Sequence, residues 1–401
     1  MESLKELYRI GPGPSSSHTL AIKRACEYFI SKNPEHKNCT AKLYGSLALT
    51  GKGHMTDKII LSCFEGKNII VEFINDFNPK HPNTLELLDN DTNRAMTIYS
   101  VGGGAFEVEG EDNLVNKNVF PHNNMSEIIA YCSCKEIDLY EYVLEFEPDI
   151  DEFLFEILEQ MLSTVDDGLD KEGVLPGPLK MQRVAQNIYQ DALVSAEIDE
   201  KRQLLLTAFA YSCSESNASG DTVVTAPTLG SCGVVPAVMA YYHKEKEYSF
   251  QLLIKSLAVA GLFGNVIKAN ATISGAEGGC QAEIGAACAM AAAACAYLEG
   301  LSMNQIDYAA EIGIEHHLGL TCDPIGGYVM IPCIERNGVA ALRAMDAMLY
   351  AKHLGKIRSN RISFDMVVQT MNYTGQKLAV ELKETSLGGL ALTLVVDEEN
   401  T

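Results

Sequence analysis

Apolar positions change their rhythm once along the chain. Up to about Pro148 they fall in short runs bounded by Gly, Asn and Asp, which predicts an α+β region. The pattern predicts a helix at Ala21–Ile30 after a Gly/Pro/Ser loop, and strands at Ala41–Tyr44, Ile59–Cys63, Ile69–Phe73 and Met96–Val101. Val101-Gly-Gly-Gly-Ala-Phe106 breaks the last strand and predicts a corner, or a close approach of backbone to something else. From Ile150 onward Ala, Leu, Met, Glu and Gln dominate and apolar residues recur at helical spacing. Helices are predicted over 151–164, 179–197, 201–213, 250–269, 283–299, 303–316 and 338–354. The expected architecture is an α+β N-terminal domain over residues 1–148, followed by a larger all-α catalytic domain over residues 149–401. Their boundary falls in the acidic stretch between Cys134 and Asp151. No tandem repeat or low-complexity tract interrupts either part.

Composition narrows the partners. A chain of 401 residues, 47% hydrophobic, can bury a large core. The net charge of −22 argues against nucleic acid, which needs cations to replace phosphate counterions, and against an anionic membrane surface. It favours a small-molecule ligand. Met1–Arg9 is charged and lacks an apolar signal-peptide core, and the alanine-rich stretch from Ala282 to Leu298 reads as a buried helix rather than a membrane span. Twelve cysteines in such a chain are expected to be thiols in a cytoplasmic protein, most of them packing as small hydrophobes.

Four Gly/Pro-rich loops punctuate the helical part: Glu172–Pro178, Ala226–Gly233, Ser274–Cys280 and Cys322–Gly327. Glycines at helix starts let backbone N–H groups approach a ligand, so several such loops suggest one shared site. Cys280, Cys322 and Cys333 lie in or beside these loops, where a thiol can face a cavity, whereas Cys288 and Cys295 lie inside the alanine-rich helix and read as packing. Successive gaps of 42 and 11 residues form no metal signature, and zinc and an iron–sulfur cluster both remain open. A four-iron cluster normally takes four thiolates. With three, one iron has no protein ligand and can act as a Lewis acid on a substrate hydroxyl, which suits dehydration.

At this point the residues resemble a known family. Gly279-Cys-Gln-Ala-Glu283, Glu315-His-His-Leu-Gly-Leu-Thr-Cys-Asp-Pro324, Pro332-Cys-Ile-Glu-Arg-Asn337 and Glu384-Thr-Ser-Leu-Gly-Gly-Leu390 look like the catalytic half of bacterial iron–sulfur L-serine dehydratases. Gly13-Pro-Ser-Ser-Ser-His-Thr19 and the run from Leu43 to His54 look like that family's smaller domain. The resemblance spans residues 11 to about 390. It implies a 4Fe–4S cluster on Cys280, Cys322 and Cys333 with one iron not ligated by protein cysteine, no pyridoxal phosphate, and a homodimer. Three departures stand out. Leu229 replaces a usual Asn, which removes a polar contact, Cys232 sits where it could pack or approach the cluster, and Met55 follows His54. Some members end in a cysteine that occupies the open iron. This chain ends Glu-Glu-Asn-Thr401, so that self-inhibition is not expected.

Roles follow, each beside a plainer one. Ser15, Ser16, Ser17 and Thr19 can bind the substrate carboxylate, or simply cap the next helix. His54, after a flexible Gly-Lys-Gly loop, is a candidate base for the Cα proton, with His18 its competitor. His81, Asn83, Asn270 and Ser274 are candidate substrate contacts. Lys52 can pair with a carboxylate or remain solvated. Glu283, Glu315 and Arg336 can hold the ligand loops or form ordinary salt bridges. The expected reaction is elimination of water from L-serine, giving pyruvate and ammonia through an aminoacrylate. Rival readings are a lyase for L-threonine or L-cysteine, a non-enzymatic iron–sulfur sensor with Cys232 as fourth ligand, and a zinc structural protein.

Overall fold

Alternating apolar residues in the first part build a five-stranded sheet, seen in a computed structural model that describes residues 1–74, 80–111 and 118–394. The elements run β1 (Ile10–Pro12), α1 (Ala21–Lys32), β2 (Asn38–Gly45), α2 (Ser46–Leu49), α3 (Thr56–Cys63), β3 (Asn68–Phe73), β4 (Asn83–Asp89), β5 (Arg94–Gly102) and β6 (Ala105–Val108). The sheet order is β3-β2-β4-β5-β6. Only β2 and β3 pair in parallel, and α2 and α3 form the crossover that a parallel pair needs. Leu85, Leu87 and Ile98 project from the sheet into one core with Ile22, Cys26 and Phe29 of α1 and Ile60 of α3.

The predicted strand at Ile59–Cys63 is instead the body of α3. A short apolar run does not distinguish strand from helix, and here Ile60 and Phe64, four residues apart, both bury on one helical face. The sequence reading also omits β4, although Leu85 and Leu87 alternate with more exposed neighbours. The glycine run at 102–104 does both things expected of it. It turns β5 into β6, and it meets the helical body, where a Cβ on Gly103 would lie 2.8 Å from Ile273.

The helical body comprises α4 (Met125–Lys135), α5 (Leu139–Phe146), α6 (Ile150–Leu169), α7 (Ala185–Val194), α8 (Ile198–Ala218), β7 (Thr222–Val224), α9 (Val234–Lys244), α10 (Phe250–Asn270), α11 (Gly275–Gly278), α12 (Ile284–Leu298), α13 (Met303–Glu315), α14 (Cys333–Leu354) and α15 (Phe364–Lys377). At its centre α12 packs against α9, α10, α13 and α14. Small alanine side chains let neighbours approach from every side, and a helix apolar all round is buried. The stretches Phe250–Asn270 and Cys280–Leu298 are long and apolar enough to cross a membrane, yet 78% and 89% of their apolar windows are buried within the fold.

Packing divides the chain differently from the composition boundary at 148/149. The small core gathers residues between Ile22 and Val108. Met1, Leu4, Leu7 and Tyr8, together with Phe120 to Val143, join the large helical core. The reason is local: α5 lays its apolar face on α10, and β1 pairs antiparallel with β7. The α+β unit is thus an excursion between two segments of the helical body, and its helix starts face that body.

Candidate active site

Three loops of the helical body deliver the three cysteines. Cys280 opens the short turn leading to α12, and Cys333 is the first residue of α14. Cys322 lies in an extended segment pinned to the C-terminal part of the chain: its N–H donates to Leu382 O at 2.8 Å, and its carbonyl accepts Glu384 N–H at 2.7 Å. All three are buried and line one cavity with Ser15, His54, Glu283 and Glu384. The Cys280 and Cys322 sulfurs and a Glu283 carboxylate oxygen lie within 4.8 Å of one another. The hydrogen bond with Cys280, together with burial, holds the Cys322 thiol well above its ordinary range; burial, with Cys280 nearby, does the same for Cys333. Such crowded, buried thiols release their protons when a bound cation takes the protons' place. The donor set therefore fits a thiolate-bound metal group. Arg336 stands beside it, donating to Thr321 O at 2.6 Å and reaching the Cys280 thiol.

Cys232 does not join this set. It is buried in the large core with its thiol on the carbonyl of Cys213, 3.7 Å away. Cys288 and Cys295 pack inside α12, as predicted.

The histidines come from the other unit. A single π-helical turn, Ser16–Leu20, carries His18 into α1, and the loop before α3 carries His54. Their rings stack with centroids 4.3 Å apart. His18 is engaged at both nitrogens: Nδ1 lies 2.8 Å from Ser17 Oγ, and Nε2 lies 2.9 Å from Thr50 Oγ1 and 3.2 Å from Ser46 O. His54 is engaged at one. Its Nδ1–H donates to Thr50 O at 3.0 Å, which fixes the tautomer and leaves Nε2 as the acceptor nitrogen. Burial lowers the His54 pKa to about 4, so the ring is neutral at pH 7. Of the two, His54 lines the cavity.

The serine run divides its labour. Ser15 caps the π turn through His18 N–H and lines the cavity. Ser16 Oγ accepts the N–H of Leu229 at 2.7 Å, tying the two units together. Ser17 joins His18 to Glu384, whose oxygen is 3.4 Å from its hydroxyl. Thr19 turns inward to the carbonyls of Pro12 and Ser15 and serves the local fold. Leu229 itself is wholly buried in the large core, so the departure from Asn does not reach the cavity as a side chain.

Two further predicted contacts lie at the seam between the units. Asn83 is buried with both side-chain atoms unpartnered, as is the Ser274 hydroxyl, and Ser100, beside Asn83 across β4 and β5, adds another. Gly102 packs on Ser274, which joins the end of β5 to the start of α11. His81 accepts the N–H of Asn83 at 3.0 Å. Lys52 and Asn270 are not brought there. Lys52 is exposed over the ring of Phe73, because the close packing of its neighbours Gly51 and Gly53 turns it outward. Asn270 ends α10 and donates to Asn123 O at 2.6 Å, lining a separate cavity with Met1 and Lys268. Glu315 is exposed beside His316. The end at Glu398–Thr401 lies outside the described residues.

Sequence reasoning assigned no role to Glu384. Its carboxyl is buried, with Oε2 unpartnered, and burial and the charge of Glu283 push its pKa well above the usual range. Glu283, which Thr228 Oγ1 contacts at 2.8 Å, is pushed up to about 6 by burial. The only signal for Glu384 was its place in a family-like motif, since the contact with Ser17 and His18 spans more than 360 residues of chain. Asn337 was missed likewise. Its side chain accepts from Gly233 N–H and donates to Gly230 O and Cys333 O, clamping the Leu229 loop to the Cys333 helix.

The chain is similar to known proteins over nearly its whole length. Residues 48–391 match the family described as serine dehydratase alpha chain, and residues 3–71 match serine dehydratase beta chain. L-serine dehydratase 1 of Escherichia coli is 36% identical, over 99% of this chain and 100% of its own length. L-serine dehydratases of Haemophilus influenzae and Helicobacter pylori are 34% and 36% identical, over 98% of this chain and 100% and 99% of their own lengths.

Proposed function

The chain belongs to the serine dehydratase family, and from that membership we propose that it is an L-serine ammonia-lyase, eliminating water from L-serine to give pyruvate and ammonia. One observation carries the reading beyond family likeness: Cys280, Cys322 and Cys333 share one cavity with a histidine from the other unit whose tautomer is fixed. We assign the three cysteines to a 4Fe–4S cluster with one iron free of protein cysteine, and the reading needs no pyridoxal phosphate. When bound, the cluster would supply Lewis acidity toward the substrate hydroxyl, which is otherwise a poor leaving group.

The chain's own residues do the rest. His54 Nε2 takes the Cα proton, while Thr50 O holds the ring through Nδ1–H. Both histidine nitrogens of His18 are occupied, so its role is to support the His54 ring by stacking and to anchor Ser17 and Glu384. Ser15 offers its hydroxyl to the substrate's carboxylate, while Ser17 stays engaged with His18 and Glu384. The unpartnered atoms of Asn83 and Ser274 are donors and acceptors available for a polar ligand at the seam. Burial of the cavity keeps bulk water from the carbanion-like charge. The aminoacrylate leaves, tautomerises and hydrolyses. Leu229 meets Ser16 through its N–H and buries its side chain in the large core, so this departure lends no support to L-threonine or L-cysteine as the substrate. Cys232, held on the Cys213 carbonyl in the large core, lends no support to a sensor that would use it as a fourth ligand. The acidic charge and the family likeness support a cytoplasmic homodimer acting in amino-acid degradation that feeds gluconeogenesis, with neither nucleic acid nor membrane as partner.

The test is pyruvate release from L-serine by anaerobically reconstituted protein, beside Cys322→Ala. Turnover by the wild type, with iron and activity lost together in the variant, is the expected result. An iron-loaded wild type that releases no pyruvate from L-serine overturns the substrate assignment.

A further inference from the structure

One carboxyl of the cavity has no task in the reaction as described. Glu384 lines the cavity with the three cysteines, Ser15 and His54, and is only 5% exposed. Its Oε1 accepts the Ser17 hydroxyl at 3.4 Å and lies 3.6 Å from His18 Nδ1, whereas Oε2 is buried without a partner. A buried oxygen left in that state is costly until a donor meets it. The backbone is committed to this placement as well. Glu384 has φ +57°, in the left-handed region that a glutamate rarely occupies. Its N–H donates to Cys322 O at 2.7 Å, and its carbonyl accepts the Ser46 hydroxyl at 2.6 Å, so both units hold the residue there. Strain of this kind persists only where the surroundings over-determine it, and it clusters at functional sites.

The two carboxyls of the cavity are placed differently. Glu283 stands with the Cys280 and Cys322 sulfurs and accepts the Thr228 hydroxyl, so it belongs to the thiol side. Glu384 stands with the histidines: a ring nitrogen of His18, one of His54 and a Glu384 oxygen lie within 4.8 Å of one another. That is the neighbourhood of the substrate's amino group. A base takes the Cα proton from about 3 Å. The amino nitrogen is about 1.5 Å from Cα, and an N–H···O bond adds about 2.9 Å. A carboxyl within 4.8 Å of a His54 nitrogen falls inside that reach. Charge agrees. Among the described residues no lysine or arginine lines the cavity, and burial keeps both histidines neutral. A buried carboxylate needs a cation beside it, and an α-ammonium is one.

We propose that Glu384 is the specificity residue of this cavity, its free Oε2 receiving the α-ammonium of the substrate. The inference rests on the dehydratase reading and deepens it. Ser15 meets the carboxylate, His54 the Cα proton and Glu384 the ammonium. The site is thereby restricted to amino acids, and a carboxylic or hydroxy acid of the same size leaves Oε2 buried and unpaired. A site built to bond a polar group rejects the analogue that lacks it for that reason.

The test is a binding measurement. Cluster-loaded protein is titrated calorimetrically under argon with L-alanine and with propionate, which differ by the α-ammonium and lack the hydroxyl that leaves. The wild type should bind L-alanine about tenfold or more the tighter, as expected of one charge-assisted hydrogen bond. Glu384→Gln should lose that preference and keep its affinity for propionate. Its KM for L-serine should rise by a similar factor, at wild-type iron content and melting temperature. Glu384→Asp keeps the charge but draws it back by one bond, so it should lose only part of the preference. It serves alone if Glu384→Gln does not hold iron, and an unchanged preference there overturns the proposal. A wild type that binds both ligands alike overturns it too, as does Glu384→Gln with its preference intact. An equal fall in affinity for both ligands shows that Glu384 shapes the cavity rather than meeting the ammonium, and also overturns it. A wild type that prefers L-alanine yet releases no pyruvate from L-serine counts against the dehydratase reading alone.

Discussion

Two stacked histidines with different hydrogen-bond partners make different predictions. His54 uses one nitrogen for Thr50 O and keeps the other for the cavity, whereas His18 is a buried hub to Ser17, Ser46 and Thr50. His54→Ala should lower kcat by roughly 10²- to 10⁴-fold, the usual worth of a general base, with iron content and melting temperature near those of the wild type. His18→Ala should also lower the melting temperature, because it strands buried partners at a cost of about 1–3 kcal/mol each. Steady-state kinetics and thermal unfolding on the two variants check this. Equal loss of activity, with equal loss of stability, would remove the distinction drawn between them. The serines show the same economy: Ser15 lines the cavity while Thr19, four residues on, is spent on the turn that holds it there.

Among the elements, α13 carries an acidic pair that the chemistry does not use. Burial pushes the Asp307 carboxyl from 3.8 up to about 7, although it accepts the N–H of Phe364 at the start of α15. Glu311, one turn on, is likewise pushed up to about 7 by burial. Both pKa values are higher in the folded chain than in the unfolded one. Their contribution to stability is therefore complete below about pH 4 and is lost as pH rises through about 7. Asp307→Asn removes one of these titrations, so its melting temperature relative to wild type should climb between pH 5 and pH 8. A pH-independent difference would show that the carboxyl ionises freely. The seam between loops gives a second element-scale prediction. A Cβ on Gly53 would lie 2.7 Å from Gly327 O and 2.8 Å from Gly326 O, so the His54 loop meets the Cys322 loop backbone to backbone. Gly53→Ala should push the loops apart and lower kcat by about tenfold or more while leaving iron content intact, which kinetics and iron analysis together would show.

For the whole molecule, the site is shared between units. The sheet unit brings His18, His54 and Ser15, and the helical body brings the three cysteines and Glu384. A group bound to Cys280, Cys322 and Cys333 joins segments that are 42 and 11 residues apart in the chain, so loading it should stabilise the fold by mass action. Chelation, or exposure to air followed by iron loss, should lower both activity and melting temperature. Iron with reductant should restore both, while Cys322→Ala melts the same with or without iron. Scanning calorimetry under argon reads the effect, and no iron-dependent shift in the wild type would count against a cysteine-held group.

The sequence by itself determined the α+β-then-helical order, the buried alanine helix, the three cysteines at loop ends and the His54 loop. Each of these is a local signal: periodicity, turn residues, or a motif within a few positions. It did not determine that Ile59–Cys63 is helical, because a short apolar run takes its conformation from the partner it packs on, here α1. Nor could it place Glu384 beside Ser17 and His18, or turn Lys52 away from the cavity. Those facts depend on contacts between segments far apart in the chain, which only tertiary packing brings together, and packing selects by shape and burial rather than by any pattern written along one stretch of residues.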